Sequence, residues 1–146
     1  MESSDIIEIH QLLARYGHAI DARDWDAFRE LFVPEAVLDH TQVRAPEVLR
    51  GIEAILEWFR DANHPSAHHV TNIVVREEGG VVRVHSKWLA PYTQASHVPV
   101  RSAGGDYHDV VVPAEGGWRF AEKVCVGRWQ FTPEGQGDVP PHRGTY

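Results

Sequence analysis

Ten of the 146 residues are histidine. That density points to proton transfer or metal binding, because the imidazole changes charge near neutral pH. Two of the ten stand side by side as His68-His69, at the start of an alternating segment read as a strand. Strand neighbours point to opposite faces, so one of the two faces an interior pocket and the other faces away. His68 shares its face with Val70 and Asn72, and His69 with Thr71 and Ile73. Asp21 is the second signal. It follows Tyr16-Gly17-His18-Ala19-Ile20 beside an apolar stripe, where a carboxylate is costly unless it is paired or functional. It is either a helix-end group or cap for the next helix, or an acid/base partner. Tyr16 lies five residues earlier, about 140° around a helix of 3.6 residues per turn, so the two do not share one narrow face. The ring is long enough to reach the same pocket. Tyr16 is either a core tyrosine or a hydroxyl that donates to a substrate carbonyl or developing enolate.

Metal and nucleophile chemistry find less support. His64 and His68 are four apart, but Pro65 between them argues against a shared helical face. Asp39-His40 and Asp106 with His108 do not match a ligand spacing. Cys125, the single cysteine, has no base beside it in sequence and reads as a small buried apolar residue. The expectation is chemistry without a metal or a cofactor.

The elements that must position these residues follow from spacing. Ile6, Ile9, Leu13, Tyr16 and Ile20 recur at steps of three and four and predict a helix over 5–20. Asp5 with Glu8 resembles a capping box. Asp24 is the N-cap of a second, short helix with Trp25, Phe28, Leu31 and Phe32 on its buried side, stopped by Pro34. Residues 36–40 are β-like, and 51–60 form a third helix with Ile52, Ile55, Leu56 and Phe59 on one face. From Ala67 the period becomes two. Strands over 68–77 and 81–92 flank the Glu78-Gly79-Gly80 turn, and strands over 107–112 and 118–129 form a second hairpin. On the 81–92 strand Val82, Val84, Ser86, Trp88, Ala90 and Tyr92 make an apolar face with small gaps, suited to a pocket wall. Arg83, His85 and Lys87 face solvent or a subunit contact. Helices first and antiparallel strands later indicate an α+β fold, with the helices on one face of a curved sheet. The domain is expected over 1–132, followed by a Pro/Gly-rich tail over 133–146.

Composition narrows the function. Apolar residues make up 42% and charged residues 24%, ordinary for one globular domain. The net charge is −7 and no Lys/Arg cluster occurs, which speaks against nucleic acid. No glycine-rich phosphate loop is present. No apolar run approaches 18 residues, so no membrane span is expected. An acidic start and one cysteine give the expectation of a cytoplasmic protein.

The order of elements, joined to particular residues, resembles the SnoaL-like and scytalone dehydratase-like branch of the nuclear transport factor two-like superfamily. The carrying residues are Tyr16 to Asp21 with Asp24-Trp25-Asp26-Ala27-Phe28, Leu31 to Ala36, His68-His69-Val70-Thr71-Asn72, Gly105 to Asp109, and Gly117 to Phe120. The resemblance implies a cone: a curved antiparallel sheet wrapped around N-terminal helices, with an internal apolar pocket. It aligns His68 with the pocket histidine of the dehydratases through the pattern His-x-x-x-Asn, with His69 as the fallback. It pairs Asp21 with that histidine and matches the Tyr16–Asp21 spacing to bile-acid dehydratases. It places His40 and Tyr107 where scytalone dehydratase has pocket polar groups and brings Asn72 to the same pocket; Trp88 and Tyr92, from the apolar face of the 81–92 strand, complete the expected lining. A second pocket histidine of that enzyme is absent, since the region reads Ala90-Pro91-Tyr92. The implied activity is a cofactor-independent lyase, most directly a dehydratase, on a small apolar carbonyl or hydroxy compound in polyketide, steroid or aromatic metabolism. An isomerase, a polyketide cyclase, a ligand-binding protein and an oxygenase small subunit are the alternatives. A homodimer through the outer sheet face is also implied, near His69, Ile73, His85, Lys87 and Leu89.

Overall fold

Helix α1 (Ser3–Ala22) forms because one stripe of its surface is apolar and finds a core, burying Ile9, Leu12, Leu13, Tyr16 and Ile20. The structure, a computed structural model, describes residues 1–65, 67–93, 99–132 and 135–136. The helix starts earlier than its spacing predicts. Glu2 is the N-cap, and its backbone N–H donates to Asp5 Oδ2 at 2.7 Å, so Asp5 closes the first turn from its third position. Arg23 ends the helix in the left-handed conformation (φ 57°), and its N–H bonds back to Ile20. Helix α2 (Trp25–Arg29) follows at once, with the Asp24 side chain accepting the Ala27 N–H at 3.0 Å. Pro34 does not stop it: α2 ends at Arg29, and Pro34 lies inside strand β1 (Phe32–Asp39). There β1 slips register against its neighbour between Phe32 and Val37, which accommodates a residue without an N–H.

After the short β2 (Leu49–Arg50), helix α3 (Ile52–Asp61) buries Ile52, Ile55, Leu56 and Phe59. Two long hairpins follow, β3 (His69–Glu78) with β4 (Val81–Thr93), and β5 (Pro99–Ala114) with β6 (Gly117–Thr132). The sheet order is β2-β1-β6-β5-β4-β3, and β7 (Gly135–Gln136) pairs with β6. The sheet is mixed where the sequence suggested a purely antiparallel one. β1 runs parallel to β6, because the chain returns to it only after a long crossover through α3 and the other strands. β5 also begins well before Tyr107. A glycine bulge hides that start: a Cβ on Gly105 would lie 1.8 Å from the Val126 carbonyl oxygen, and the register slips between Gly104 and Gly105.

A second bulge lies in β3 between Thr71 and Val74, with Asn72 in the left-handed region (φ 52°). It reverses the alternation. Val70, Ile73 and Val75 pack on the core, whereas Thr71, Asn72 and Val74 are exposed. Asn72 is therefore not a pocket residue, and Ile73 is not on the outer face. The expected tail over 133–146 lies outside the described residues apart from Gly135–Gln136. Among the described residues no helix is long and apolar enough to cross a membrane.

Candidate active site

The C-terminal turn of α1 and the entry to β3 meet at Gly17. A Cβ there would sit 3.1 Å from the His68 carbonyl oxygen, so glycine lets the helix approach this closely. The approach brings Asp21 against His68. Its Oδ1 lies 2.6 Å from His68 Nδ1, and its two oxygens accept the His68 backbone N–H at 3.1 and 3.0 Å. A carboxylate only accepts, so Nδ1 carries the proton and Nε2 holds the lone pair. Burial lowers the His68 pKa below its ordinary value, while the hydrogen bond and charge of Asp21 push it back up. The imidazole is neutral at pH 7 and has a carboxylate ready to stabilise its charged form. His69 points the other way and is exposed.

His68 lines a cavity of about 230 Å³ together with Tyr16, His40, Trp88, Tyr92 and Tyr107. Six of the expected residues thus converge; Asp21 stands behind His68, and Asn72 and His69 stand apart. Tyr16 is fully buried among Phe28, Phe32, Phe59 and Phe120, with the Tyr107 ring 5.9 Å away. Burial drives both phenols well above their ordinary pKa, so each stays a neutral hydroxyl within hydrogen-bonding reach of the other. Trp88 stacks near Tyr107 at 6.0 Å and donates its indole N–H to the Val126 carbonyl at 3.3 Å. Cys125 also lines the cavity, but burial raises its pKa, so it is an unreactive thiol.

Several lining groups escape a reading of the sequence. Trp58 stands edge-on to His40 at 5.7 Å. His64 lies flat on Phe59 at 4.9 Å and donates from Nε2 to the Phe59 carbonyl at 2.6 Å. Proximity to the amphipathic 52–61 helix was the available signal for both. Below Tyr16 and Tyr107, Lys123 and Asp109 form a fully buried ion pair at 3.0 Å, with Lys123 Nζ 4.3 and 3.8 Å from the two ring centres. Among the described residues no group of three or more His, Cys, Asp or Glu could hold a metal ion.

His40 is buried, its Nε2 has no hydrogen-bond partner among the described residues, and burial lowers its pKa to about 3. Burial also lowers His64 to about 4. Both are depressed below the 6.5 of an unfolded chain. The unfolded state therefore binds more protons below that value, and stability falls as pH falls. The melting temperature is expected to drop steadily between about pH 6.5 and pH 4, and His40→Phe should flatten that slope. An unchanged melting temperature across this window contradicts the assignment of neutral buried imidazoles.

A family model described as a SnoaL-like domain matches residues 1–124. An uncharacterized protein of Mycobacterium tuberculosis is 31% identical over 130 residues, spanning 84% of this chain and 85% of the relative. A solved structure of a candidate scytalone dehydratase from Novosphingobium aromaticivorans superposes with a TM-score of 0.74 at 20% identity, covering 97% of this chain and 96% of that one. A nuclear transport factor two-like protein with a cystatin-like fold from the same species gives 0.67 at 22% identity, covering 83% and 80%. These two structures share the cone-type architecture with this chain, and the likeness extends to the fold alone.

Proposed function

The chain belongs to the SnoaL-like domain family, and on that premise we propose that it is a cofactor-independent acid/base enzyme, most directly a dehydratase, acting on a small, largely apolar carbonyl or hydroxy compound. The observation that carries this reading is the Asp21–His68 pair, with Nδ1 held at 2.6 Å and the ring lining an aromatic cavity. Neutral His68 takes a proton from the carbon α to a carbonyl at Nε2. Tyr16 or Tyr107, each a neutral phenol, donates a hydrogen bond to the carbonyl oxygen as charge develops there. The imidazolium, stabilised by Asp21, returns the proton to a β-hydroxyl, which leaves as water. Each positioned acid or base is worth about 10²–10⁴ in rate. Isomerisation and aldol-type cyclisation use the same groups. A titratable pair built against a cavity favours catalysis over plain ligand storage.

Asp21→Asn keeps the shape and removes the charge. Turnover is expected to fall by about 10²-fold or more, with a much smaller change in ligand affinity. The same change removes the influences that raise His68, so the acid limb of the rate profile should move to lower pH. His68→Ala should lose activity with the fold kept, while His69→Ala should keep activity. Full turnover in Asp21→Asn would reject the acid/base reading.

A homodimer through the outer sheet face is proposed with it. That face carries exposed Val74 and Leu89 beside the stacked His85–His108 rings, which lie 4.7 Å apart, and beside the buried Asp106 that holds Lys87 and Arg128. An apolar patch with its charges internally paired is suited to covering by a symmetry-related copy. Sedimentation equilibrium should return twice the 16.5 kDa chain mass. A single 16.5 kDa species at tens of micromolar would remove the dimer.

A further inference from the structure

Among the described residues the charged side chains that line the cavity are Arg44 and Arg101, and no carboxylate lines it. This is unexpected in a chain of net charge −7. Both guanidinium groups pack on one ring, Arg101 at 4.1 Å and Arg44 at 5.0 Å from the centre of Tyr92. Arg44 is further fixed by donating to the Asn63 carbonyl. Elsewhere the arginines in ion pairs meet acids, Arg29 with Glu53 and Arg128 with Asp106. Among the described residues neither Arg44 nor Arg101 has such a partner. Two cations gathered around one ring repel each other, and an anion that bonds to both relieves that repulsion.

The position of the pair sets a ruler. His69 pairs with Leu89, so the strand position opposite His68 is Ala90, and Tyr92 lies two residues further, directly opposite Arg101. At about 3.3 Å per residue the cationic end is displaced about 7 Å along the strand from His68. The exposed lining residues Gln42, Arg44 and Asn63 mark this end as the one that opens to solvent. Ala90 and Ala103 line the sheet at the level of His68, and Trp88 and Tyr107 line it deeper, on the side of His68 away from Tyr92.

We infer that Arg44 and Arg101 bind a carboxylate carried by the substrate, so that the cavity takes a compact aromatic or polycyclic acid with its reacting carbon at His68 and its acid group at the mouth. The guanidinium fork matches a carboxylate in two parallel hydrogen bonds, and stacking on Tyr92 presets its plane. The inference rests on the cavity being the substrate site, as the proposed function has it, but its test reads binding and not turnover.

The probes are 2-naphthoate and its neutral isostere 2-naphthamide, titrated by calorimetry into the full chain at neutral pH and low salt. The acid is expected to bind about tenfold or more tightly than the amide, a preference worth about 1.4 kcal/mol. Added salt should weaken the acid more than the amide. In Arg44→Gln/Arg101→Gln the two affinities should agree within about twofold, with that of the amide unchanged, since only the charged contact is removed. In Asp21→Asn the preference should survive, so a failed acid/base mechanism and a failed acid site give different results. Equal affinities in the natural chain, a preference that survives in the double variant, or no binding of the acid at millimolar concentration would overturn the inference.

Discussion

The contact between Asp21 and His68 is the constraint around which the rest of the molecule is arranged. One carboxylate takes both the backbone N–H and the ring Nδ1 of the same residue. It can do so only if the last turn of α1 lies directly against the entry to β3, and Gly17 gives that approach its clearance. The apolar stripe of α1 fixes the rotation of the helix, and the core it buries fixes its depth. A shift of either element would leave a carboxylate and an imidazole half-buried and unmatched, which is costly in a low-dielectric setting.

Burial then sets the chemical character of the cavity. His40, His64 and His68 are all pushed toward the neutral form, and Tyr16 and Tyr107 are held as neutral phenols. Such a wall is able to exchange protons and hydrogen bonds while presenting no fixed charge to the inner cavity. The charges are displaced outward or downward instead. Asp21 stands behind His68, the Lys123–Asp109 pair lies beneath the phenols, and the two arginines stand at the opening. The buried pair carries a desolvation penalty that an apolar pair of equal size would avoid. It places a cation against the faces of both tyrosine rings.

What could be read from the sequence follows physical lines. Helices α1 and α3 were legible because their apolar residues repeat at helical spacing, and the alternating face of β4 because strand periodicity is strict. The His68–Asp21 juxtaposition was legible through family resemblance, since nothing local joins residues 47 positions apart. Asn72 was misplaced because a bulge reverses alternation and leaves no mark in the hydrophobic pattern. The parallel β1–β6 pairing depends on register between strands far apart in the chain, and the facing of Asp109 with Lys123 depends on a register slip between Val110 and Val111 of the β5–β6 hairpin; periodicity carries neither. Pro34 was misread as a helix stop because an irregular strand tolerates proline as well as a helix end does.

Asp21 holds His68 as a neutral imidazole protonated on Nδ1, which leaves the Nε2 lone pair to accept a proton. Long-range proton–nitrogen correlation spectra of the uniformly nitrogen-labelled protein at neutral pH, with His68 assigned by its loss in His68→Gln, measure this directly. A proton on Nδ1 and an unprotonated Nε2 are expected in the natural chain. A proton on Nε2 alone, or on both nitrogens, would contradict this.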